Sequence, residues 1–477
     1  MVEAVRKSLR DSAGARWAAM AVVSFTMLCG YFVADVASPL KPLIEQHLHW
    51  SSSDYGLYTS AYGWFNVFLG MLVIGGIILD KMGPRFAGML AMSLMLGGTA
   101  LNWWALTPSM QTDQLILGIK MPVLLAGSGY ALFGVGVELC GITATKVIAK
   151  WFKGYEMAMA MGLQVAVARI GTGIALGTAG PLASATNVAT PVLVGVLLLG
   201  VGLVAFLVYC SMDRKLAASE PEPDKKTGAE DAFRLSDIGK ILSNKGFWLI
   251  AILCALFYSA VFPFLKFATD LMVQKYHVAE ETAGLIPAML PFGTMLLTPV
   301  FGRVYDKKGK GATIMIIGSC LIMLVHVMLT IPALDHYAVA IAAMLVLGVG
   351  FSLVPSAMWP SVPKLIPERQ LGTAYALIFF LQNLIALMGT PFLIGWVLDN
   401  YCVTSRETIT QTVDGVAQQT TLVHYDYTLP MAIFAAFGLL AIVVAFLLKA
   451  DDKKKGYGLE QPIQKAKSPE PLPEAAA

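Results

Sequence analysis

Along this chain long apolar runs alternate with short polar breaks. The runs lie near residues 17–40, 55–79, 86–107, 121–147, 156–183, 189–211, 246–270, 282–303, 311–331, 337–361, 370–397 and 428–448. A helix rising about 1.5 Å per residue needs about 20 apolar residues to cross a hydrocarbon core of about 30 Å, and each run approaches or exceeds that length. The pattern therefore predicts an all-α membrane protein with twelve transmembrane helices. Between the sixth and seventh runs, Asp213–Lys245 carries Pro221, Pro223, acids and lysines, which reads as a linker between two six-helix bundles. The tail Asp451–Ala477 is rich in Lys, Pro and Glu and is expected to be disordered. The resulting division is 1–212, 213–245, 246–450 and 451–477. The Thr- and Gln-rich loop from Asp399 to Tyr427 is expected to form a small surface structure.

Composition supports the pattern, with 57% hydrophobic residues, 14% charged residues and a mean hydropathy of +0.67. These values exclude an ordinary soluble domain. The net charge of +3 says little, but its placement says much. With the N-terminus in the cytoplasm, 28 of the 34 Lys and Arg fall on the inner side and only Lys41, Lys120, Lys275 and Arg406 on the outer. Basic residues concentrate on the cytoplasmic side of membranes, so both termini are expected there. The first run is too long for a cleavable leader and lacks a small-residue cleavage site, so it should remain as an anchor. No acidic dileucine sorting pattern precedes it, which favours a bacterial inner (plasma) membrane.

Chemistry is narrowed by what the motifs omit. The six cysteines and six histidines show no metal-ligand spacing, and no phosphate-cradling Gly-rich loop is present. The expectations are no metal, no cofactor, no enzymatic activity and no nucleic-acid partner, in a monomer whose contacts are the lipid bilayer and a small-molecule substrate.

Two internal repeats are present. Gly76-x-x-x-Asp80-Lys81-x-Gly83-x-Arg85 recurs 226 residues later as Gly302-x-x-x-Asp306-Lys307-x-Gly309-Lys310. Gly134-Val135-Gly136-Val137-Glu138-Leu139 matches Gly348-Val349-Gly350-Phe351-Ser352-Leu353 at an offset of 214, which also pairs Arg169 with Asn383. The halves share a backbone plan, yet only the first carries Glu138 and Arg169.

These paired motifs and the 6+6 layout resemble the major facilitator superfamily, which implies two pseudo-symmetric six-helix bundles working by alternating access. The segments Trp151-Phe152-Lys153-Gly154-Tyr155-Glu156, Ala168-Arg169-Ile170-Gly171, Phe247-Trp248-Leu249-Ile250 and Val261-Phe262-Pro263-Phe264 resemble the lysosomal dipeptide uniporter branch and its bacterial relatives. That resemblance implies an acid on span 4 and an arginine on span 5 at a dipeptide site, the positions of Glu138 and Arg169. It further implies facilitated diffusion; proton coupling is the variant offered by the Glu138 carboxylate itself, which in a low-dielectric cavity can exchange protons with transport.

Helical rise places Glu138 and Arg169 about 18–20 Å from the inner surface on antiparallel neighbours. Burying a charge there costs at least about 2.5–3.5 kcal/mol, so both should face a wet cavity. Arg169 can fork onto a terminal carboxylate, and Glu138 can accept from a terminal ammonium. The competing reading is a permanent structural ion pair. Tyr31, Phe264 and Trp359 are candidate walls, and Gln164, Gln382 and Asn383 candidate neutral hydrogen-bonding groups. Asp35 and Lys266 lie nearer the outer interface, as a hydrated or snorkelling pair, an outer gate, or a second carboxylate site for Lys266. In the repeated motif, Gly76 and Gly302 are expected to allow close helix approach. Asp80 and Asp306, with Gly83, Arg85, Gly309 and Lys310, are expected to latch the inner gate. The alternatives are an organic-anion (carboxylate or organophosphate) transporter and a transporter-like ligand sensor.

Overall fold

The computed structural model describes residues 9–153, 155–219, 235–367, 370–413 and 416–462. In chain order, α1 (Ala13–Asp35) is followed by the short helices α2 (Lys41–Leu48), α3 (Ser52–Ser60) and α4 (Trp64–Phe68), then by α5 (Met71–Ala105). A small ribbon of β1 (Leu115–Ile116) and β2 (Ile119–Lys120) leads into α6 (Met121–Trp151), α7 (Met157–Ala185) and α8 (Thr190–Ser219). Next come α9 (Leu235–Leu242), α10 (Lys245–Ser259), α11 (Phe262–Tyr276), α12 (Glu280–Ala283), α13 (Leu285–Lys308), α14 (Gly311–Thr330) and α15 (Tyr337–Leu365). A π-helical stretch, Asn383–Gly389, joins α16 (Leu371–Gln382) to α17 (Thr390–Tyr401). The antiparallel hairpin β3 (Val403–Val413) and β4 (Val416–Tyr425) precedes the last helix, α18 (Thr428–Lys455).

Eleven segments among the described residues are long and apolar enough to cross a membrane, one fewer than the apolar runs. The difference lies in the second run. It is broken into α3, a 3-10 turn and α4, and its last part continues into α5 together with the third run. Within α5 the backbone leaves helical geometry at Gly83 (φ 78°, ψ 171°), immediately before Pro84. A positive φ combined with ψ near 180° is open essentially to glycine, and the following proline removes a helical donor, so this pair turns the chain.

The helices α1, α5, α6, α7 and α8 pack on one another, as do α10, α14, α15, α16 and α18, while α3 meets α17 and α7 meets α13 between the two groups. These junctions are tight on the side carrying the β3–β4 hairpin. At Gly56, an added Cβ would lie 2.7 Å from the Pro391 carbonyl and 2.9 Å from the Gly395 Cα, so only glycine permits this approach. On the opposite side, where α1 begins and α18 ends, Gly162 and Gly302 have nothing within 4 Å of an added Cβ and Met159 is 63% exposed. The two groups are closed together at the hairpin side and splayed at the terminal side.

Two segment readings need correction. Of the tail, residues 451–462 are ordered: α18 ends at Lys455 and is capped by Gly456, Leu459 is buried, and the Lys310 and Gly311 N–H groups donate to the Glu460 (3.0 Å) and Leu459 (2.8 Å) carbonyls. The first amides of α14 have no helical acceptor, and the returning chain supplies one. Residues 463–477 lie outside the described residues. The linker is likewise partly helical, since α8 runs on to Ser219 and α9 occupies Leu235–Leu242, while 220–234 lie outside the described residues.

Candidate functional site

Between the two helix groups lies a cavity of about 410 Å³. Helical periodicity explains its walls: Tyr31, Ala34 and Asp35 share one face of α1, as Glu138, Gly141 and Thr145 do on α6. From α7 come Gln164, Val165 and Arg169. The second group supplies Tyr258, Phe262, Pro263 and Lys266, together with Trp359, Phe379 and Gln382. Here the break between α10 and α11 matters, because Val261 (φ −120°, ψ −55°) is non-helical and Pro263 starts a new helix. That break turns Phe262 and, one turn later, Lys266 onto the cavity face.

Glu138 and Arg169 both line the cavity and form no ion pair with each other among the described residues. Glu138 accepts a hydrogen bond from the Tyr62 hydroxyl at 2.9 Å. The Arg169 guanidinium lies over three rings, Phe351 at 5.2 Å, Tyr31 at 5.5 Å and Phe262 at 5.8 Å. Aromatic faces stabilise a cation without neutralising it, so Arg169 keeps its charge available to an anion. Glu138 and Arg169 thus present one anion and one cation to the cavity, each held in place and neither consumed by the other.

Asp35 and Lys266 are paired. Lys266 Nζ donates to Asp35 Oδ1 (2.8 Å), to the Ala34 carbonyl (2.5 Å) and to the Tyr130 hydroxyl (3.4 Å), and Thr172 Oγ1 donates to Asp35 Oδ2 (2.9 Å). The pair joins α1 to α11 at the closed end of the cavity. Snorkelling is overturned for Lys266, which is only 9% exposed and turned inward. Beyond it, on the hairpin side, a buried network missed by the sequence reading also crosses between the groups. Lys41 Nζ bridges Asp270 (2.6 Å) and Glu45 (2.8 Å), Ser52 donates to Glu45 (2.6 Å), and Tyr427 donates to Asp270.

Tyr31 and Trp359 stand on the cavity wall, but Phe264 and Asn383 do not. Phe264 is fully buried against His326 (5.0 Å) and Phe434 (5.9 Å). Two residues along a helix rotate a side chain by about 200°, so Phe262 rather than Phe264 takes the cavity position. Asn383 is also fully buried, with its amide donating to the Phe379 carbonyl at 3.0 Å, and its neighbour Gln382 faces the cavity instead. Tyr62, Phe262 and Phe351 were missed. Phe351, which touches the site through its ring against Arg169 rather than by lining the cavity, had a signal, since the repeat offset pairs it with the cavity residue Val137.

The repeated motif does not bridge the groups in this conformation. Asp80 pairs with Lys146 of α6 (2.7 Å), and Arg85 (3.5 Å) and Lys150 (2.7 Å) both reach Asp213 of α8. Asp306 is exposed and forms no ion pair among the described residues. Gly76 and Gly302 have open space where close packing was expected, because the terminal side is splayed. The motif glycines with a demonstrable backbone role are Gly83 and Gly309, which take positive φ at equivalent turns (78° and 66°), with Lys310 following in the left-handed region at φ 58°.

Comparison with known proteins places this geometry in context. The family model of the Major Facilitator Superfamily matches residues 23–390. A human protein described as a lysosomal dipeptide transporter, MFSD1, is 26% identical over 381 residues, covering 78% of this chain and 77% of its own. Among solved structures, the nucleoside transporter NupG superposes with a TM-score of 0.64 at 15% identity, over 91% of this chain and 98% of its own. A bacterial homologue of the human lysosomal transporter Spinster, inward-facing and unoccupied, gives 0.64 at 14% identity over 93% and 98%. At such identities the two structures speak to the fold alone.

Proposed function

The chain belongs to the Major Facilitator Superfamily and is a secondary transporter rather than an enzyme, and from that premise we propose that it moves small zwitterionic solutes, dipeptides foremost, by alternating access. The observation that carries this reading is the pair of opposite, mutually unpaired charges facing one cavity, Glu138 and Arg169. A free dipeptide has an ammonium at one end and a carboxylate at the other. Arg169 forks onto the carboxylate, Glu138 accepts from the ammonium, and Tyr62 holds Glu138 in position. Recognition through the two backbone ends leaves the side chains to a wall of rings, which tolerates variety. The name of the MFSD1 relative supports the same substrate class.

In this proposal twelve helices cross the membrane in two six-helix halves, the turn at Gly83 separating the second from the third. The terminal side faces the cytoplasm of a bacterial cell, so the splayed form is inward-open. Return to the outward-open form requires the Asp35–Lys266 and Lys41–Asp270 pairs to separate and the Asp80 and Asp306 turns to approach. An organic-anion carrier would have little use for Glu138 in the cavity.

The test is a thermal-shift screen of purified protein against dipeptides, free amino acids, dicarboxylates and organophosphates, repeated on Arg169→Ala. Dipeptides should stabilise the parent protein and leave the variant unmoved. Stabilisation by organophosphates but not dipeptides would transfer the site to the anion class.

A further inference from the structure

The first turn of α3 divides its backbone donors between the two helix groups. Every α-helix begins with N–H groups that have no acceptor within the helix. In α3 a capping box satisfies two of them locally, the Ser51 N–H donating to Asp54 Oδ2 (3.0 Å) and the Asp54 N–H to Ser51 Oγ (3.1 Å). The two between them go elsewhere. The Ser52 N–H donates to Asp399 Oδ1 (3.1 Å) and the Ser53 N–H to Asp399 Oδ2 (2.5 Å), so a single carboxylate of the second group completes a helix of the first. Asp399 lies in the last turn of α17, where the carbonyl end of its own helix disfavours a negative charge. Its stabilisation comes instead from the amino end of α3, across the seam at which Gly56 and Gly395 touch. The Tyr425 hydroxyl of β4 donates to the same Oδ1 at 3.2 Å.

We propose that Asp399 is an outer latch of the transport cycle: it caps α3 from the opposite helix group, a contact made when the hairpin side is closed and broken when that side opens. The latch rests on the alternating-access reading and not on the choice of substrate. When α3 and α17 part, the Ser52 and Ser53 donors exchange a charged acceptor for water, and Asp399 is left beside the carbonyl end of α17. Both losses fall on the open form alone. An interaction made in only one of two states biases the balance between them, so neutralising Asp399 should populate the outward-open form. The charged cavity itself is untouched by that change, because Asp399 is not among its walls.

The experiment places one reporter thiol at a time in the cavity wall of the full chain, Thr59→Cys on α3 toward the closed side and Thr145→Cys on α6 toward the splayed side. In oriented membrane vesicles an impermeant maleimide is applied from the outer face to the first and from the inner face to the second, and label at each reporter position is read by mass spectrometry. Asp399→Asn should raise the ratio of outer to inner labelling rates at least about tenfold, the scale expected for hydrogen bonds to a charged group. Simple loosening of the fold would raise both rates together, and a ratio left at the parent value in folded Asp399→Asn would overturn the latch. Ser52→Pro removes a donor instead of the acceptor, at a first helical position that suits proline, and should shift the ratio in the same direction. Ser52→Ala loses the same hydroxyl but keeps the N–H, and should shift it less. This pair carries the test if Asp399→Asn does not fold, and equal shifts in the two would count against the latch. Absence of outer labelling at position 59 in the parent and in every variant would remove the alternating-access reading and the latch with it.

Discussion

At the scale of single residues, function rests on how each charge is held. Arg169 is steadied by three rings and by no ion pair among the described residues, so its two-pronged geometry should matter as much as its charge. Arg169→Lys keeps the charge and loses the fork, and dipeptide affinity measured by calorimetry should fall roughly 10- to 100-fold, in line with the loss of about 1.5–3 kcal/mol for a hydrogen bond to a charged group. Tyr62→Phe removes only the hydroxyl that orients Glu138, and should cost about 0.5–1.5 kcal/mol in the same assay. Chemistry at Cys402 follows burial. Its thiol is pushed up to about 11, chiefly by burial and then by Asp426, so almost none is thiolate at neutral pH. Labelling of Cys402 by a hydrophilic maleimide should therefore be slow at pH 7 and rise about tenfold per pH unit until the thiol titrates. Rapid labelling at pH 7 would show that the side chain is open to solvent. The sequence made Glu138 and Arg169 legible because a charge inside an apolar run needs a reason. Phe264 was misplaced because the helix break at Val261 resets the rotational phase, and a run of apolar letters does not display such a break. Tyr62 lies in a run that resembled continuous helix and is in fact broken three ways.

At the scale of elements, the closed side is held by buried ionic contacts between helices that the apolar pattern could not pair. Lys41 of α2 is wholly buried between Asp270 of α11 and Glu45. Lys41→Met would leave two carboxylates without their cation, a change that typically costs about 3–5 kcal/mol in a buried pair. The closed form should lose more than the open form, in which these groups meet water. A cysteine placed at Ser52 should thus become more reactive to an impermeant maleimide in the Lys41→Met background, and unchanged reactivity would show that the network does not hold this side shut. Sequence periodicity located most long helices because membrane burial demands uninterrupted apolar length. It did not resolve the β3–β4 hairpin, although Thr- and Val-rich stretches around Asp414-Gly415 carry the usual signal for one. Nor could it foresee the docking of residues 456–462 on α14, which is fixed by the acceptor needs of Lys310 and Gly311.

At the scale of the whole molecule, two helix groups meet tightly at the hairpin side and part at the terminal side, with the charged cavity between them. The duplicated motifs made this plan visible in advance, because both halves repeat the same turn at Gly83 and Gly309. The conformation was not visible, since closed and splayed arrangements use the same sequence and differ only in which contacts are made. The central claim is that Arg169 and Glu138 form a site for the two ends of a dipeptide that is carried across the membrane. Its most direct test is counterflow of a labelled dipeptide in proteoliposomes, run with the parent protein and with Arg169→Ala verified as folded by gel filtration and thermal melting. Saturable accumulation is expected of the parent and none of the variant. Accumulation by the variant at the parent rate, or none by the folded parent, would contradict it.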